Sequence, residues 1–356
     1  MSKTYYSYQE IFLLPKYSNY HSRSEVSTAT QLGKKMFRVP VMPANMKCTI
    51  DQKMALWMSE NDYFYIMHRF NENTNDAPNT DNKRFIETAN KDNWKTISIS
   101  LGVKKEDEEL IHYCITNNLR IDYITIDIAH AHSVRMKEML VYLNRMYRSD
   151  ICTVDRPFII AGNVATPGAV VDLEDWGADA TKVGIAQGDA CTTYGQTGFG
   201  VPMFTCIQEC AKLARKPIIA DGGIRTNGDF SKALVAGGHM VMAGSVFASC
   251  VDSPSETVVK IVKMNELKEN MKVSPQGLLE KSLDEMLAKK TYKTYFGSAS
   301  AKNKGANVHV EGRIVELECN KMTYAEKLKE IEESIQSSIS YAGGNLAYVD
   351  WGIRNR

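Results

Sequence analysis

Eight short apolar runs recur along the chain, separated by stretches whose polar positions follow a helical spacing. They read RVPVMPANM (38–46), YFYIMHRF (63–70), ISISLG (97–102), YITIDIAHAHS (123–133), FIIAGNV (158–164), ATKVG (180–184), PIIADGG (217–223) and MVMAGS (240–245). Their hydrophobicity is nearly continuous rather than alternating, which suits strands buried on both faces of a parallel sheet. Nearly all end in glycine or a polar residue: Asn45, His68, Gly102, Asp127, Gly162, Gly184, Asp221 and Gly244. A doubly wound open sheet would also alternate strands with helices. Eight units with reactive residue types at the strand C-termini favour an α/β fold of the (β/α)8 TIM-barrel type, whose active site lies at that face.

Around these runs, residues 53–61 read as a helix and 71–82, poor in apolar residues, as a loop. Beyond the eighth run, residues 256–290 are charged and helix-compatible apart from a break at 274–277. TYFGSASAKNKGANVHVEGR (294–313) is rich in glycine and small polar residues, a composition suited to a C-terminal mobile flap over 291–313. A helix from 324 to about 334 and a small-residue stretch, SSISYAGG (337–344), close the chain. The sequence shows no internal repeat beyond the βα alternation and no low-complexity tract, so a single barrel domain over 1–356 is expected.

Composition narrows the function classes. A chain of 356 residues could be two average domains or one large barrel, and 44% hydrophobic residues support a sizeable core. With 43 basic and 42 acidic residues the net charge is +1, so charge points to neither nucleic acid nor membrane as a partner. The N-terminus lacks a signal-peptide pattern and no segment approaches membrane-span length. The eight cysteines include no CxxC pair, and Cys206 and Cys210, four apart in an expected helix, are expected to pack rather than bind metal. Reduced thiols in a cytoplasmic protein are the reading that follows.

Candidate chemistry concentrates in KVGIAQGDACTTYGQTGFG (182–200), where five glycines surround Cys191 and its neighbours Thr192 and Thr193. Such a segment can wrap a ligand closely, and a cysteine in it can act as a nucleophile once its thiolate forms. A flexible connector with an incidental cysteine is the other reading of the same residues. DGG at 221–223 and AGS at 243–245 follow the seventh and eighth runs, a common phosphate-binding position in barrels. Backbone N–H groups there can face a phosphate while the Asp221 carboxylate accepts from ribose hydroxyls. A tight βα turn explains each glycine singly; their coincidence in consecutive units favours a phosphorylated ligand. Glu311 on its own would be a solvated surface carboxylate.

Taken in order, ANM (44–46), GIAQGDACTT, TGFG, PIIADGGIRTNGD, MVMAGS, YFGSAS and VEGR resemble the IMP dehydrogenase/GMP reductase family, as does SRSEV at 22–26, and the resemblance covers nearly the whole chain. It implies that Cys191, in a catalytic loop over 181–200, attacks C2 of a purine nucleotide and forms a covalent intermediate. It places Asp221, Gly222, Gly223, Gly244 and Ser245 at ribose and 5′-phosphate, with Gly297 and Gly312 in segments flanking the nucleotide. Asp127, Ala129, Arg69, Ser22, Arg23 and Ser337 are the cofactor-binding residues it implies. The family usually reads GIGPG or GVGPG before the cysteine, whereas this chain reads GIAQG, and losing a glycine and a proline alters loop stiffness. The family's monovalent-cation site uses carbonyls of that loop, so the candidate K+ ligands here are the backbone of Ala186, Gly188 and Cys191. The stretch after Glu256 is also longer than the family's short connection.

Two features separate the family's branches. Only a loop and a helix fit between 70 and 96, where dehydrogenases usually carry a regulatory insert. Between 300 and 311 the chain reads AKNKGANVHV, without the Arg-Tyr pair the dehydrogenases place in the flap, the Arg helping to activate water, while the Thr–Glu pair of the reductases matches Thr193 and Glu311. The resemblance therefore implies the reductase branch: NADPH-dependent reductive deamination of GMP to IMP, in a homotetramer. An IMP dehydrogenase lacking the insert and a non-catalytic purine-nucleotide-binding protein are the alternatives.

Overall fold

Seven of the eight apolar runs pair into one parallel sheet. The computed structural model describes residues 4–263, 287–298, 300 and 311–354. Around the sheet the strands follow the order Val41–Pro43, Met240–Ala243, Ile218–Asp221, Ala180–Val183, Phe158–Val164, Tyr123–Asp127, Ser98–Leu101. The first run thus pairs with the eighth, Val41 opposite Val241, as a sheet curled into a barrel requires. Residues 63–70 lie beside Ser98–Leu101 but form only a single parallel bridge, Met67 to Ile99, in place of the expected ladder. Past Met67 the Phe70 N–H turns back to His68 Nδ1 at 3.3 Å, so the segment bends instead of continuing the pairing. Its side chains still alternate like those of a barrel strand. Phe64 and Ile66 join the inner cluster with Met42, Ile160 and Ile219, whereas Tyr63, Tyr65 and Met67 pack outward against the helices. The fold is the (β/α)8 barrel that the runs predict.

The end of the barrel remote from the strand C-termini is closed by the chain itself. A hairpin, Thr30–Leu32 with Lys35–Phe37, sends Leu32 and Phe37 into the inner cluster. Tyr123, the first residue of its strand, donates its hydroxyl to the Leu32 carbonyl at 2.6 Å. The helices start on side-chain caps where the sequence provides them: Asp51 accepts the Met54 N–H before Gln52–Glu60, and Ser133 accepts the Met136 N–H before Val134–Met146. Cys206 and Cys210 sit buried in helix Met203–Leu213, as their spacing suggests.

Two expectations need correction beyond the barrel. The stretch 256–290 is not helical at its described ends: Thr257–Lys263 and Leu287–Phe296 are antiparallel strands, joined by Ile314–Glu318 into a three-stranded sheet. The run of Val258, Val259 and Ile261 favours extended backbone, and the charges that suggested helix pair across strands, as Lys290 does with Glu318 at 3.3 Å. Of the expected flap, 291–296 belong to the middle strand, while 299 and 301–310 lie outside the described residues. The last helix runs Tyr324–Tyr341 rather than stopping near 334. It opens on a Thr323–Glu326 capping box, buries Leu328, Ile331 and Ile335, and is followed by Gly343 and Gly344 at positive φ. Among the described residues no helix is long and apolar enough to cross a membrane.

Candidate active site

The C-terminal ends of the barrel strands surround a cavity of about 710 Å³. At its floor is a charge array that the sequence reading did not foresee. Lys182, in strand Ala180–Val183, has a side chain only 3% exposed and places Nζ 2.8 Å from Asp127 Oδ1 and 2.7 Å from Asp221 Oδ2. Each carboxylate also accepts from an asparagine: Asn45 Nδ2 reaches Asp127 Oδ2 at 2.9 Å, and Asn163 Nδ2 reaches Asp221 Oδ2 at 2.8 Å. Burial alone would discharge the lysine, but the two carboxylates outweigh it and hold its pKa above the ordinary lysine value. Asp127 is pushed up by burial and pulled down further by Lys182, with Asn45 and Arg69 assisting, so it stays ionised. The signal that could have revealed the array is a lone lysine inside an apolar run, since a buried charge needs partners.

Backbone geometry shapes the other side of the cavity. Gly222 and Gly223 adopt φ of 101° and 77°, values that side-chain-bearing residues rarely take. Gly244 is constrained by space instead: a Cβ there would sit 2.2 Å from the Tyr295 hydroxyl. With Ser245 these residues form a concave, glycine-lined cradle within the cavity wall.

The loop that carries Cys191 lies across from the returning chain. Cys191 pairs with Gly312 in an antiparallel bridge, Thr192 N–H donates to the Glu311 carbonyl at 2.9 Å, and Arg313 N–H donates to the Ala190 carbonyl. These bonds fix the side chains above them. Cys191 Sγ donates to Thr193 Oγ1 at 3.2 Å, and Thr193 Oγ1 donates to Glu311 Oε2 at 2.7 Å. A thiol, a hydroxyl and a carboxylate 118 residues further along thus form one continuous hydrogen-bond chain. Cys191 is half-buried, as Cys152 is, but of the eight thiols it alone lines the cavity. Burial pushes the Cys114 thiol up to about 12 and the Cys250 thiol up to about 11, so those two stay protonated.

Of the other sequence-derived residues, Gly297, Asp127, Ala129 and Arg69 also line this cavity. Ser22, Arg23 and Ser337 do not line it; Arg23 donates to Ser337 Oγ at 3.3 Å and lies over the Tyr341 ring. Ser22 instead caps the turn Arg23–Glu25 by accepting the Ser24 N–H. In the loop of candidate cation ligands, Ala186 stands at φ 64° and the Gly188 carbonyl accepts the Cys191 N–H at 2.9 Å. Among the described residues no group of three or more His, Cys, Asp or Glu side chains could hold a metal ion. Two buried polar atoms at the cavity, Arg69 Nε and Asn163 Oδ1, have no hydrogen-bond partner among the described residues. An orphaned donor and an orphaned acceptor in a cavity wall are the atoms a polar ligand would satisfy.

A (β/α)8 barrel whose strand ends present a thiol–hydroxyl–carboxylate chain beside a glycine-lined cradle has the build of a barrel enzyme. Residues 5–345 match the IMP dehydrogenase / GMP reductase domain, and the chain belongs to that family. It is similar to proteins named GMP reductase from Acidovorax sp. (43% identical over 341 residues, 95% of this chain and 91% of the relative). Those of Delftia acidovorans (43% over 342 residues, 95% and 91%) and Staphylococcus carnosus (42% over 354 residues, 98% and 96%) are also similar.

Proposed function

We propose that the chain is a GMP reductase that converts GMP, with NADPH, to IMP and ammonia through a covalent bond from Cys191 to purine C2. The observation that carries this reading is the chain of donors from Cys191 Sγ through Thr193 Oγ1 to Glu311 Oε2. As the thiol sulfur adds to C2, its proton passes by way of Thr193 to the Glu311 carboxylate. The same route run backward delivers that proton to the C2 amine, which departs as ammonia and leaves the sulfur on C2. The nicotinamide, when bound, supplies a hydride to C2, and collapse expels the Cys191 thiolate to give IMP. A protein that only bound the nucleotide would need none of the three groups in contact.

The remaining residues bind and orient. Asp221, fixed in place by Lys182 and Asn163, accepts from the ribose hydroxyls, and Asn163 Oδ1 is a further acceptor there. Gly222, Gly223, Gly244 and Ser245 surround the 5′-phosphate. Arg69 and Asp127 face the cofactor, with the unpartnered Arg69 Nε as a donor to it. The Gly188 carbonyl accepts the Cys191 N–H and keeps a second lone pair, so with the carbonyls of Ala186 and Cys191 it would be the group to hold a potassium ion. A homotetramer in the cytoplasm completes the reading, and sedimentation tests the assembly.

Purified protein should oxidise NADPH when given GMP, releasing stoichiometric ammonia. Reduction of NAD by IMP in its place would make the chain a dehydrogenase, and nucleotide binding with neither reaction would make it a binding protein. Cys191→Ala should abolish turnover while calorimetry still detects GMP, because ribose and phosphate contacts lie on other loops; near-normal NADPH oxidation by that variant would remove Cys191 as the nucleophile.

A further inference from the structure

One side-chain amide joins Asp221 to the loop that carries Cys191. Asn163, the next-to-last residue of strand Phe158–Val164, lines the cavity. Its backbone is held on both sides: its N–H donates to the Ile128 carbonyl at 2.9 Å, and its carbonyl accepts the Ala131 N–H at 2.9 Å. From this fixed base Nδ2 donates to acceptors on two other strand ends, Asp221 Oδ2 at 2.8 Å and the Gly184 carbonyl at 2.7 Å. An amide nitrogen has two hydrogens, so both are engaged. Oδ1 is left buried and without a partner among the described residues. Gly184 is where the Cys191 loop departs, directly after strand Ala180–Val183. Its N–H donates to the Val164 carbonyl at 2.8 Å, and with φ at 141° a Cβ there would lie 2.1 Å from the Asp221 carbonyl oxygen. The backbone thus fixes the N–H and Cα of Gly184, while a side chain, that of Asn163, holds its carbonyl.

We propose that Asn163 is a positioning residue that makes the placement of the Cys191 thiol depend on whether a ribose occupies the cavity. The inference rests on the reading of Asp221 as the ribose acceptor. A ribose hydroxyl that donates to the orphaned Oδ1 polarises the amide and strengthens the bonds its nitrogen makes, the one to Gly184 included. The departure point of the loop is then gripped more firmly when the sugar is present, and a free purine base meets a looser thiol than a nucleotide does. Asn163 acts on the chemistry through Gly184, not on the reacting atoms.

Alkylation of Cys191 by iodoacetamide, followed by mass spectrometry of its peptide, reads the loop without turnover. The probe is ribose 5-phosphate, which fills the sugar end and leaves the base end open. Cys152, half-buried and outside the cavity, is the internal control: a general loosening of the fold would quicken both thiols, so the Cys191-to-Cys152 rate ratio is the readout. Without ligand, Asn163→Ala should raise that ratio roughly fivefold, the contribution of one ordinary hydrogen bond. Saturating probe, with binding followed by calorimetry, should lower the ratio at least about twofold in the unaltered chain and leave it unmoved in Asn163→Ala. If the variant no longer binds the probe, its ligand-free ratio decides. An unmoved ligand-free ratio, the same response to the probe in both proteins, or an unaltered chain that does not bind or answer the probe overturns the role of Asn163. NADPH oxidation with GMP in the same preparations separates the two readings. Turnover with any of those failures overturns Asn163 and keeps the reductase; the expected ratios without turnover do the reverse.

Discussion

In the proposed mechanism Glu311 reaches the reaction only through Thr193, and that indirectness can be measured. Glu311→Gln keeps size and hydrogen-bonding capacity but removes the group that holds and returns a proton. Ammonia release should slow by about 10²–10⁴-fold, the usual contribution of a general acid–base group. Hydride transfer from IMP to NADP involves no ammonia, and at alkaline pH, where solvent takes the Cys191 proton that Glu311 otherwise accepts, it should survive; rapid-mixing absorbance in both directions checks this. Equal losses would mean that Glu311 only organises the loop beneath it. A second residue, Ala186, is a stability liability of its own. It stands at φ 64°, a left-handed conformation that opposes a Cβ by roughly 1–2 kcal/mol. Glycine's greater unfolded-state entropy offsets part of that relief, so Ala186→Gly should raise stability by about 0.5–1 kcal/mol in denaturant titration.

Three strand ends, those carrying Asp127, Lys182 and Asp221, are tied together by one ammonium group. Lys182→Met leaves two carboxylates facing each other without a cation, and unfolding should become easier by about 3–5 kcal/mol, read from denaturant midpoints. Adding Asp127→Asn should restore part of the loss by removing one of the stranded charges. The strands themselves were legible because a parallel sheet covered on both faces writes itself as continuous apolar runs. The array was less so: ATKVG displayed the lysine, but its two acceptors come from other runs, and only the closed barrel shows which ends adjoin. Asn163, within FIIAGNV, was hidden for the same reason. The misreading of 257–263 has a different origin. On a half-exposed antiparallel strand, lysines and β-branched residues mingle, and pairing with a partner strand decides what local spacing leaves open. Cys191, Thr193 and Glu311 were recoverable only because an ordered set of motifs set the expectation; spacing alone cannot bring residue 311 to residue 193.

For the molecule as a whole, buried ionisable groups set an acid limit. Burial, aided by the charge of Lys47 and opposed by Asp81, lowers His68 to about 4. The unfolded chain takes up that proton near pH 6.5, so between about 6.5 and 4 it binds more protons than the native state, and stability falls as pH falls. The loss should reach about 3 kcal/mol by the lower end of that window. Asp127, held below its unfolded value, adds a second loss beneath about pH 3.9 in the same direction. Urea midpoints collected from pH 7 to 4.5 should therefore decline, and His68→Gln should flatten the decline; an unchanged slope would place its origin elsewhere. The three-stranded sheet beyond the barrel carries a different kind of consequence. Its chain leaves along Thr257–Lys263 and returns along Leu287–Phe296 with Lys263 opposite Leu287, so the outward and homeward paths cancel. Glu311 is delivered to Thr193 from the paired, near end. The number of residues in the excursion between 263 and 287 does not enter that delivery, and lineages of this enzyme are free to lengthen or trim the stretch by mutation without retuning the chemistry it returns to.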